Sequence, residues 1–331
     1  MSVLKLGVIG TGWITEKFVN DSTNHYKLTS IYSRKIESAE KFAEKFSFGI
    51  ETTTELDKML DLVDIVYIAN PNAMHFKYIQ AAIQRDVNVI VEKPAVINPT
   101  EFNLVKQLLQ EHPNVYFFEA ARHIHTNNFL SIKKGLIELG EVSGANLNFQ
   151  QFSSRYNDYK KDLNPNVFSL EFGGGVLYDL GVYVVYAAIC WFGMPKEAHY
   201  TATLLTTGAD GRGQINFIYD DFIVSATISK INTSYSLTEI YHENKTISID
   251  HLANINNVEL IDGDNVTTLS KKLDDPTNMT DEANVFYEII ENNDRNKFEE
   301  LLRLSEQVNQ VMFDLRNDAD IKFASDEDPI V

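Results

Sequence analysis

A glycine turn directly after the first apolar run constrains the fold of this 331-residue chain more than any other feature. Residues 4–9 are mainly apolar and have the length of a buried parallel β-strand. They lead into Gly10-Thr11-Gly12-Trp13-Ile14, five candidates for binding a dinucleotide. Gly10 permits a tight turn, and Gly12 has no Cβ, so a pyrophosphate can lie against the N–H groups that begin the next helix. Such turns also close strands that bind nothing, so other residues must support the interpretation.

Apolar runs and helical spacing alternate through the first third of the chain. We predict further strands at residues 28–32, 65–69, 87–91 and 115–119, and helices after Thr15, at 36–46, at 54–60 (capped by Thr53 or Thr54), from His75 onward and at 100–111. This alternation predicts an α/β fold, with a doubly wound parallel sheet of the Rossmann type over residues 1–122. Ligands of such sheets bind outside the carboxyl ends of the strands.

Ser33 and Arg34 follow the second predicted strand. An acidic residue at this place holds the ribose 2′-OH of NAD, whereas a basic residue accommodates the 2′-phosphate of NADP. The guanidinium of Arg34 suits a phosphate, and Ser33 adds a hydroxyl donor. We therefore favour NADP over NAD, with a solvated loop as the alternative role of Arg34.

Polar residues also follow the strand predicted at residues 65–69. Asn70, Pro71 and Asn72 end it, and His75 begins the next helix. All four are cofactor-binding candidates at the carboxyl edge of the sheet. For His75, capping of its own helix is an equal alternative.

The strand predicted at residues 87–91 leads into Glu92-Lys93-Pro94. An acid and a lysine at the carboxyl end of a buried strand are hard to explain by packing, because lysine is seldom buried without a partner. Glu92 and Lys93 are candidates for the cofactor site, and Lys93 also for catalysis.

Composition limits the classes of protein to consider. The net charge of −18 disfavours nucleic acid and anionic membranes as partners. The single cysteine, Cys190, excludes an internal disulfide, and its apolar neighbours indicate a buried thiol. We see no signal peptide, and the longest apolar run, residues 182–192, is too short to span a bilayer. We expect a cytoplasmic protein.

From residue 123 the pattern changes to a second domain, which we assign to residues 123–331. Predicted strands lie at 145–152, 200–205, 214–219, 222–231, 237–241, 246–249 and 258–261, and predicted helices at 126–139, 279–292 and 297–316. These strands, separated by turns, predict an α+β domain with a large, mostly antiparallel open sheet. The two C-terminal helices, at 279–292 and 297–316, can pack on their own domain or back on the first domain.

A glycine triplet, residues 173–175, precedes an apolar helical run that contains Asp179 and Tyr183. A helix that is apolar on every side is expected to be buried. An isolated buried carboxylate is costly, so Asp179 needs a partner or a function. Four residues separate Asp179 and Tyr183, which places them on one face of an α-helix.

The glycine turn, Asn70-Pro71-Asn72 with His75, Glu92-Lys93-Pro94, and the glycine pair before Asp179 and Tyr183 together resemble the glucose–fructose oxidoreductase, inositol dehydrogenase and MocA family. The resemblance implies hydride transfer between a nicotinamide and a secondary alcohol or ketone of a sugar, polyol or dihydrodiol. It also implies a homodimer, or a tetramer, through the open face of the second sheet.

Within this resemblance Lys93, Asp179 and Tyr183 are the catalytic candidates. A free tyrosine has a pKa near ~10, and a nearby ammonium favours the phenolate. We predict that Tyr183 exchanges the hydroxyl proton, Lys93 polarises the oxygen and Asp179 positions both, with a hydrogen bond to a substrate hydroxyl as the alternative role of Asp179. The reverse assignment, with Lys93 as the acid and base, stays open.

The chain departs from the family after Glu119-Ala120, where an Arg-Phe pair often lines the substrate site. Here Arg122, His123 and His125 follow, and Arg122 or His123 is the candidate substitute. We predict no metal site, because His123 and His125 lack a third ligand in the sequence.

Two other functions compete with a dehydrogenase. An enzyme of the same fold holds NAD tightly and recycles its hydride in a lyase-like or glycosidase-like reaction. A dinucleotide sensor needs the glycine turn but none of the proton-transfer groups, so Lys93, Asp179 and Tyr183 argue against it.

Overall fold

The computed structural model describes residues 3–46 and 49–326. The chain divides into two compact units. The first combines Met1–Ala120 with Asn278–Asn309, and the second combines Ala121–Thr277 with Gln310–Val331.

The first unit begins with alternating strands and helices. They are β1 (Leu4–Ile9), α1 (Trp13–Asp21), β2 (Tyr26–Tyr32), α2 (Ile36–Ala43), β3 (Glu51–Thr53), α3 (Leu56–Leu60), β4 (Ile65–Ile68), α4 (His75–Ile83), β5 (Asn88–Glu92), α5 (Pro99–Glu111) and β6 (Phe117–Ala120). All neighbouring strands are parallel, in the order β3-β2-β1-β4-β5-β6. The predicted doubly wound parallel sheet is confirmed.

The order of the strands determines where this sheet can bind a ligand. β1 pairs with β2 on one side and with β4 on the other, so the chain reverses its direction of winding between them. The crevice outside the carboxyl ends of β1 and β4 is therefore the switch point where doubly wound sheets bind ligands. The glycine turn follows β1, and Asn70 follows β4 closely.

Several boundaries differ from the prediction. The short strand β3 was not predicted, because three residues carry no readable period. Helix α1 already begins at Trp13, and α2 ends at Ala43 rather than at residue 46. The expected cap of α3 is wrong: Glu55 occupies the N-cap position without a side-chain cap, and Thr53 Oγ1 instead accepts the N–H of Glu55 at 3.0 Å.

The second unit contains a sheet of eight strands. Its elements are α6 (Asn127–Leu139), β7 (Gly144–Gln150), α7 (Arg155–Tyr159), α8 (Val182–Phe192), β8 (Glu197–Leu204), β9 (Asp210–Ile218), β10 (Ile223–Ser229), β11 (Thr238–His242), β12 (Lys245–Ile249), β13 (Val258–Asp262) and β14 (Asn265–Thr268). The strand order is β14-β13-β12-β11-β7-β10-β9-β8. Only the β7–β10 pair is parallel in this sheet, so the predicted mostly antiparallel sheet is confirmed.

Residues alternate between the two faces of this sheet. In β9 the side chains of Ile215 and Phe217 are fully buried, whereas those of Gln214 and Asn216 are exposed. One face therefore belongs to the core and the other is polar, as expected for an antiparallel sheet that is covered on one side.

Two helices follow the sheet, α9 (Thr280–Glu291) and α10 (Arg295–Asp318). In the first unit, α9 packs beside β2 and β6. Tyr26 donates from its hydroxyl to the carbonyl of Ala283 at 3.1 Å, and the rings of Phe118 and Phe286 stack 4.5 Å apart.

The segment Leu170–Phe192 is longer than the apolar run that the sequence suggested. Its mean hydropathy of 1.6 and its 23 residues satisfy the length and composition of a membrane span. However, 72% of its most apolar stretch is buried inside the protein, which is how a core helix of a folded domain behaves.

Candidate functional site

The two glycines of the first turn have different surroundings. Gly10 has φ +110°, and a Cβ there would lie 2.4 Å from the carbonyl oxygen of Ala69. A Cβ on Gly12 would meet nothing within 4 Å. Gly12 is the N-cap residue of α1 and provides no side-chain cap, so the first N–H groups of this helix face open space. The turn has the form of an anion cradle.

Other residues of the turn complete its surface. Thr15 is fully buried, and its hydroxyl oxygen has no hydrogen-bond partner among residues 3–46 and 49–326. Trp13 is 73% exposed, while Thr11 and Ile14 are half-buried.

Ser33 and Arg34 lie at the carboxyl end of β2, as predicted. Arg34 is exposed and makes no ion pair within the described part of the chain. Burial raises the pKa of Tyr78 to about 12, and the positive charge of Arg34 opposes this rise, so the guanidinium is near α4. The Ser33 N–H donates to the carbonyl of Thr53 at 3.2 Å, which fixes the start of this loop.

The side-chain amide of Asn70 is the strongest observation in favour of a dinucleotide site at this edge of the sheet. Both polar atoms of its side-chain amide are buried, and neither has a hydrogen-bond partner in the residues that the structure describes. A buried amide without a partner is costly, so a bound group with donors and acceptors would stabilise it. Pro71 and Asn72 are half-buried beside it. The open cradle and this amide together fit a dinucleotide.

His75 does not cap its own helix, which was one of its two predicted roles, and its place at the cofactor site stays a prediction. It is fully buried, and the N-cap position of α4 belongs to Met74. Its Nδ1 lies 2.9 Å from the carbonyl oxygen of Pro94, and its Nε2 lies 2.8 Å from that of Asn70. Burial lowers the pKa of His75, although the carbonyl contacts act in the opposite direction. The ring therefore ties together the loops after β4 and β5.

Glu92 and Lys93 end β5 at the same edge of the sheet. The hydroxyl of Tyr67 donates to Glu92 Oε1 at 2.5 Å. Tyr67 is itself fully buried and stacks on Phe18 at 4.0 Å. Lys93 is half-buried and precedes Pro94 through a cis peptide bond. The Tyr67 hydroxyl thus fixes the carboxylate of Glu92, the residue directly before the candidate catalytic Lys93.

Four buried side chains hold the backbone that follows Lys93, and we call them the 94–97 clamp. Besides His75 on Pro94, Glu119 accepts the N–H of Ala95 at 3.1 Å, Asn309 donates to the carbonyl of Val96 at 3.0 Å, and Glu101 accepts the N–H of Ile97 at 3.0 Å. Ser305 donates in turn to Glu119. This role was not predicted from the sequence, although Glu119, an acid inside the apolar run of β6, was a visible signal.

Asp179 lies on an unusual turn of helix in the second unit. Residues Leu177–Gly181 form a π-helix that leads into α8, rather than the continuous α-helix that we predicted. The four-residue spacing therefore does not by itself place Asp179 and Tyr183 on one helix face, as it would in a continuous α-helix. The side chain of Asp179 is 38% exposed, so the expectation of a buried carboxylate is also wrong.

The buried member of this site is Lys230, which sequence reasoning missed. Its side chain is 4% exposed, and its Nζ donates to Asp179 Oδ2 at 2.5 Å. Asp210 is a second missed residue: it is fully enclosed and accepts from the hydroxyl of Tyr200 at 2.6 Å and from the N–H of Leu177 at 2.8 Å. Burial raises the pKa of Asp210, and these donors and Lys230 counteract it. Asp210 thus anchors the start of the π-helix.

The residues after β6 contact other parts of the second unit, and their predicted role at the substrate site stays a prediction. Arg122 donates to the carbonyl oxygens of Pro276 and Ala253 and to Asn254 Oδ1, at 2.7, 3.2 and 2.6 Å, so it ties down its own unit. The ring of His123 is buried 4.7 Å from that of Tyr183. Among the described residues, no group of three or more His, Cys, Asp or Glu side chains is placed to hold a metal ion.

The aromatic residues before the glycine triplet pack on one another. Tyr156 and Tyr159 stack 5.5 Å apart, and Phe168 is fully buried 5.9 Å from each ring. These contacts pack the loop on its own unit.

A doubly wound parallel sheet with an open glycine turn at its switch point is the architecture of dinucleotide-binding proteins. The chain belongs to the GFO/IDH/MocA family of NAD(P)-dependent oxidoreductases. Residues 4–120 match the family's NAD-binding Rossmann fold, and residues 137–248 match the GFO/IDH/MocA C-terminal domain. The predicted resemblance and the dehydrogenase class are thereby confirmed.

Two relatives and one solved structure illustrate the similarity. The chain is 36% identical to the uncharacterized oxidoreductase YgjR of Escherichia coli, over 76% of this chain and 77% of that protein. It is 31% identical to scyllo-inositol 2-dehydrogenase (NADP(+)) IolU of Bacillus subtilis, over 98% and 100%. A crystal structure of the 3-ketoreductase KijD10 from Actinomadura kijaniata with NADP and TDP-benzene has a TM-score of 0.81 at 18% identity, covering 96% and 98%. This last similarity supports the fold alone.

Proposed function

We propose that this enzyme uses NADP to interconvert a secondary alcohol and a ketone on a neutral polyol or sugar. The observation that carries the cofactor half of the proposal is the open space over Gly12 at the uncapped start of α1. The substrate half is supported by similarity along the full chain to an NADP-dependent scyllo-inositol 2-dehydrogenase. Scyllo-inositol is therefore the first compound to test.

The choice of NADP is supported by Arg34. Its guanidinium is exposed at the end of β2, the position where doubly wound folds meet the 2′-phosphate. Within the described residues no carboxylate pairs with it, so its charge is available to a phosphate. Gly12, the N–H groups of α1 and Asn70 would hold the remainder of the dinucleotide.

The chemistry that we propose for the protein is the handling of the hydroxyl proton. NADP, when bound, supplies or accepts the hydride. Tyr183 exchanges the proton, Lys93 polarises the oxygen and Asp179 accepts a hydrogen bond from a substrate hydroxyl. Lys93 as the acid and base is the second assignment, because an unperturbed tyrosine has a pKa near ~10.

Paired titration with NADPH and NADH, followed by nicotinamide fluorescence, tests the cofactor assignment. We expect preferential binding of NADPH, reduced about tenfold in Arg34→Ala, with NADH binding unchanged. Equal binding of both cofactors by the wild type would make Arg34 a solvated loop residue.

Turnover tests the substrate assignment. We expect NADPH to form when scyllo-inositol, other inositols or aldoses are mixed with enzyme and NADP. A substrate consumed without net NADPH formation would favour an enzyme that recycles its hydride. Binding of NADPH without turnover of any polyol or sugar would overturn the proposed substrate class.

We further propose a cytoplasmic homodimer. The exposed polar face of the second sheet forms a shallow groove of about 420 Å³, lined by residues that include Asn146, Asn148, Gln150, Gln214, Asn216 and Ser225. The resemblance to the family implies that a second subunit covers this face. The single cysteine is consistent with a reducing compartment.

A further inference from the structure

Lys230 carries a buried charge in the second unit. It directly follows β10, and only 4% of its side chain is exposed. Removing an ammonium group from water is unfavourable unless a carboxylate compensates for it. Lys230 Nζ donates to Asp179 Oδ2 at 2.5 Å and lies 5.0 Å above the buried ring of Phe168. The charge is thus compensated by a direct hydrogen bond to Asp179 and one aromatic face, and it also interacts with the buried carboxylate of Asp210.

The two partners of this ion pair have very different exposure. Asp179 is 38% exposed, whereas Lys230 is almost inaccessible. A ligand can therefore reach the carboxylate but not the ammonium. In an ordinary surface ion pair both side chains are usually solvated, so this difference in exposure is not typical of a pair that only contributes to stability.

The backbone of Lys230 is fixed from both sides. Its N–H donates to the carbonyl of Gly211 at 2.9 Å, and its own carbonyl accepts the N–H of Ser153 at 2.9 Å. The ammonium therefore extends from a rigid strand end to a carboxylate on a π-helix. Such π-turns occur frequently at functional sites, and their side chains depend on neighbours for orientation.

We propose that Lys230 is a positioning residue for Asp179. It keeps the carboxylate ionised and in one orientation, so that the carboxylate accepts a hydrogen bond from a substrate hydroxyl. The inference rests on the proposed function, which assigns Asp179 to the substrate. Lys230 itself does not touch the substrate, because its ammonium is enclosed by Asp179 and Phe168.

Kinetics of four variants in the NADP-dependent oxidation of scyllo-inositol test the proposal. We expect Lys230→Met to lower kcat at least about tenfold while KM for NADP stays within about twofold, because a lost orienting contact acts on the chemical step. Lys230→Arg, which keeps the charge, should recover most of the loss, and Lys230→Gln, which keeps only a donor, should not. Lys245→Met removes the exposed Lys245–Asp262 pair of β12 and β13, 3.8 Å apart, and should leave kcat unchanged.

Unchanged kcat in Lys230→Met, or full activity of Lys230→Gln, would overturn the proposal. If Lys230→Met does not bind NADPH, and so has lost its fold, the comparison between the Gln and Arg variants decides in its place. Equal activity of these two shows that the charge is not needed.

Crystal structures of the same variants with NADP test the inference without turnover. In Lys230→Met the Asp179 carboxylate should rotate away from its wild-type position, and in Lys230→Arg it should stay. A carboxylate that keeps its position without Lys230 contradicts the inference. This measurement remains decisive if the wild type oxidises no polyol, a result that would contradict the proposed function alone.

Discussion

At the scale of single residues, substitutions at Gly10 and Gly12 distinguish an effect on stability from an effect on cofactor binding. Gly10→Ala places a Cβ against the carbonyl of Ala69 at a φ of +110°, so we expect it to lower the free energy of unfolding by about 1–3 kcal/mol. Gly12→Ala meets no protein atom within 4 Å and should keep the melting temperature within a few degrees. If the pyrophosphate lies over this turn, the Cβ of the variant would take its space, and NADPH binding should be lost.

Calorimetry and NADPH fluorescence on the two variants check this prediction. Each variant controls for the other, because the same methyl group is added two residues apart. If Gly12→Ala binds NADPH as the wild type does, the dinucleotide does not lie over this turn.

Lys93→Met tests the catalytic assignment at the level of one side chain. Since Lys93 is half-buried, the apolar replacement is tolerated, and NADPH binding should persist. Loss of a group that polarises the oxygen or exchanges the proton should lower kcat by about 10²–10⁴. Steady-state kinetics with a polyol and NADP measure the effect, and wild-type turnover in this variant would remove Lys93 from the mechanism.

The sequence identifies residues whose chemistry conflicts with their apolar neighbours. Lys93 and Asp179 were visible for that reason. Lys230 was not, because the carboxylate that explains it lies 51 residues away along the chain, and only the fold brings them together. Asp210 was equally hidden, since its turn region resembles an ordinary glycine-rich loop.

At the scale of elements, the 94–97 clamp links stability to pH through His75. Burial lowers the pKa of this ring in the folded protein, whereas an unfolded histidine has a pKa of about 6.5. Below that value the unfolded chain takes up a proton that the folded chain does not, so the free energy of unfolding decreases as pH falls. One such group contributes at most about 1.4 kcal/mol per pH unit, and burial lowers the pKa of His251 in the same direction.

Urea unfolding at pH 7.5, 6.5 and 5.5 measures this dependence. We expect the slope of stability against pH to become shallower in His75→Gln and, separately, in His251→Gln. The comparison uses slopes, so a general loss of stability from the lost carbonyl contacts does not obscure it. Parallel slopes in the wild type and His75→Gln would show that His75 is protonated equally in both states.

The elements that were predicted share a strong period, and those that were missed lack one. The buried strand β4 is apolar at every position and was found. All four residues of β14 are exposed, so neither alternation nor apolar content marks it, and β3 has only three residues. The π-helix before α8 has the apolar composition of an α-helix, and its different hydrogen bonding is decided by contacts such as that of Asp210.

At the scale of the whole molecule, chain order and spatial unit do not coincide. Residues 278–309 belong to the first unit although they follow the second sheet. Helical periodicity located α9 and α10 from their amphipathic faces. The periodicity does not reveal which apolar surface the face covers, because the apolar face of a helix can pack on any core of suitable shape.

The proposed homodimer gives a last prediction at this scale. If two copies meet through the polar face of the second sheet by a twofold axis, each side chain near the axis faces its own copy. Changing Gln214→Glu and Asn216→Asp together, both exposed on β9, should therefore place like charges opposite each other and shift the protein towards monomer, more so at low salt. Asn103→Asp with Gln107→Glu makes the same chemical changes on exposed positions of α5 and should leave the dimer intact. Sedimentation velocity measures both, and either a monomeric wild type or an intact dimer in the β9 variant would contradict this interface.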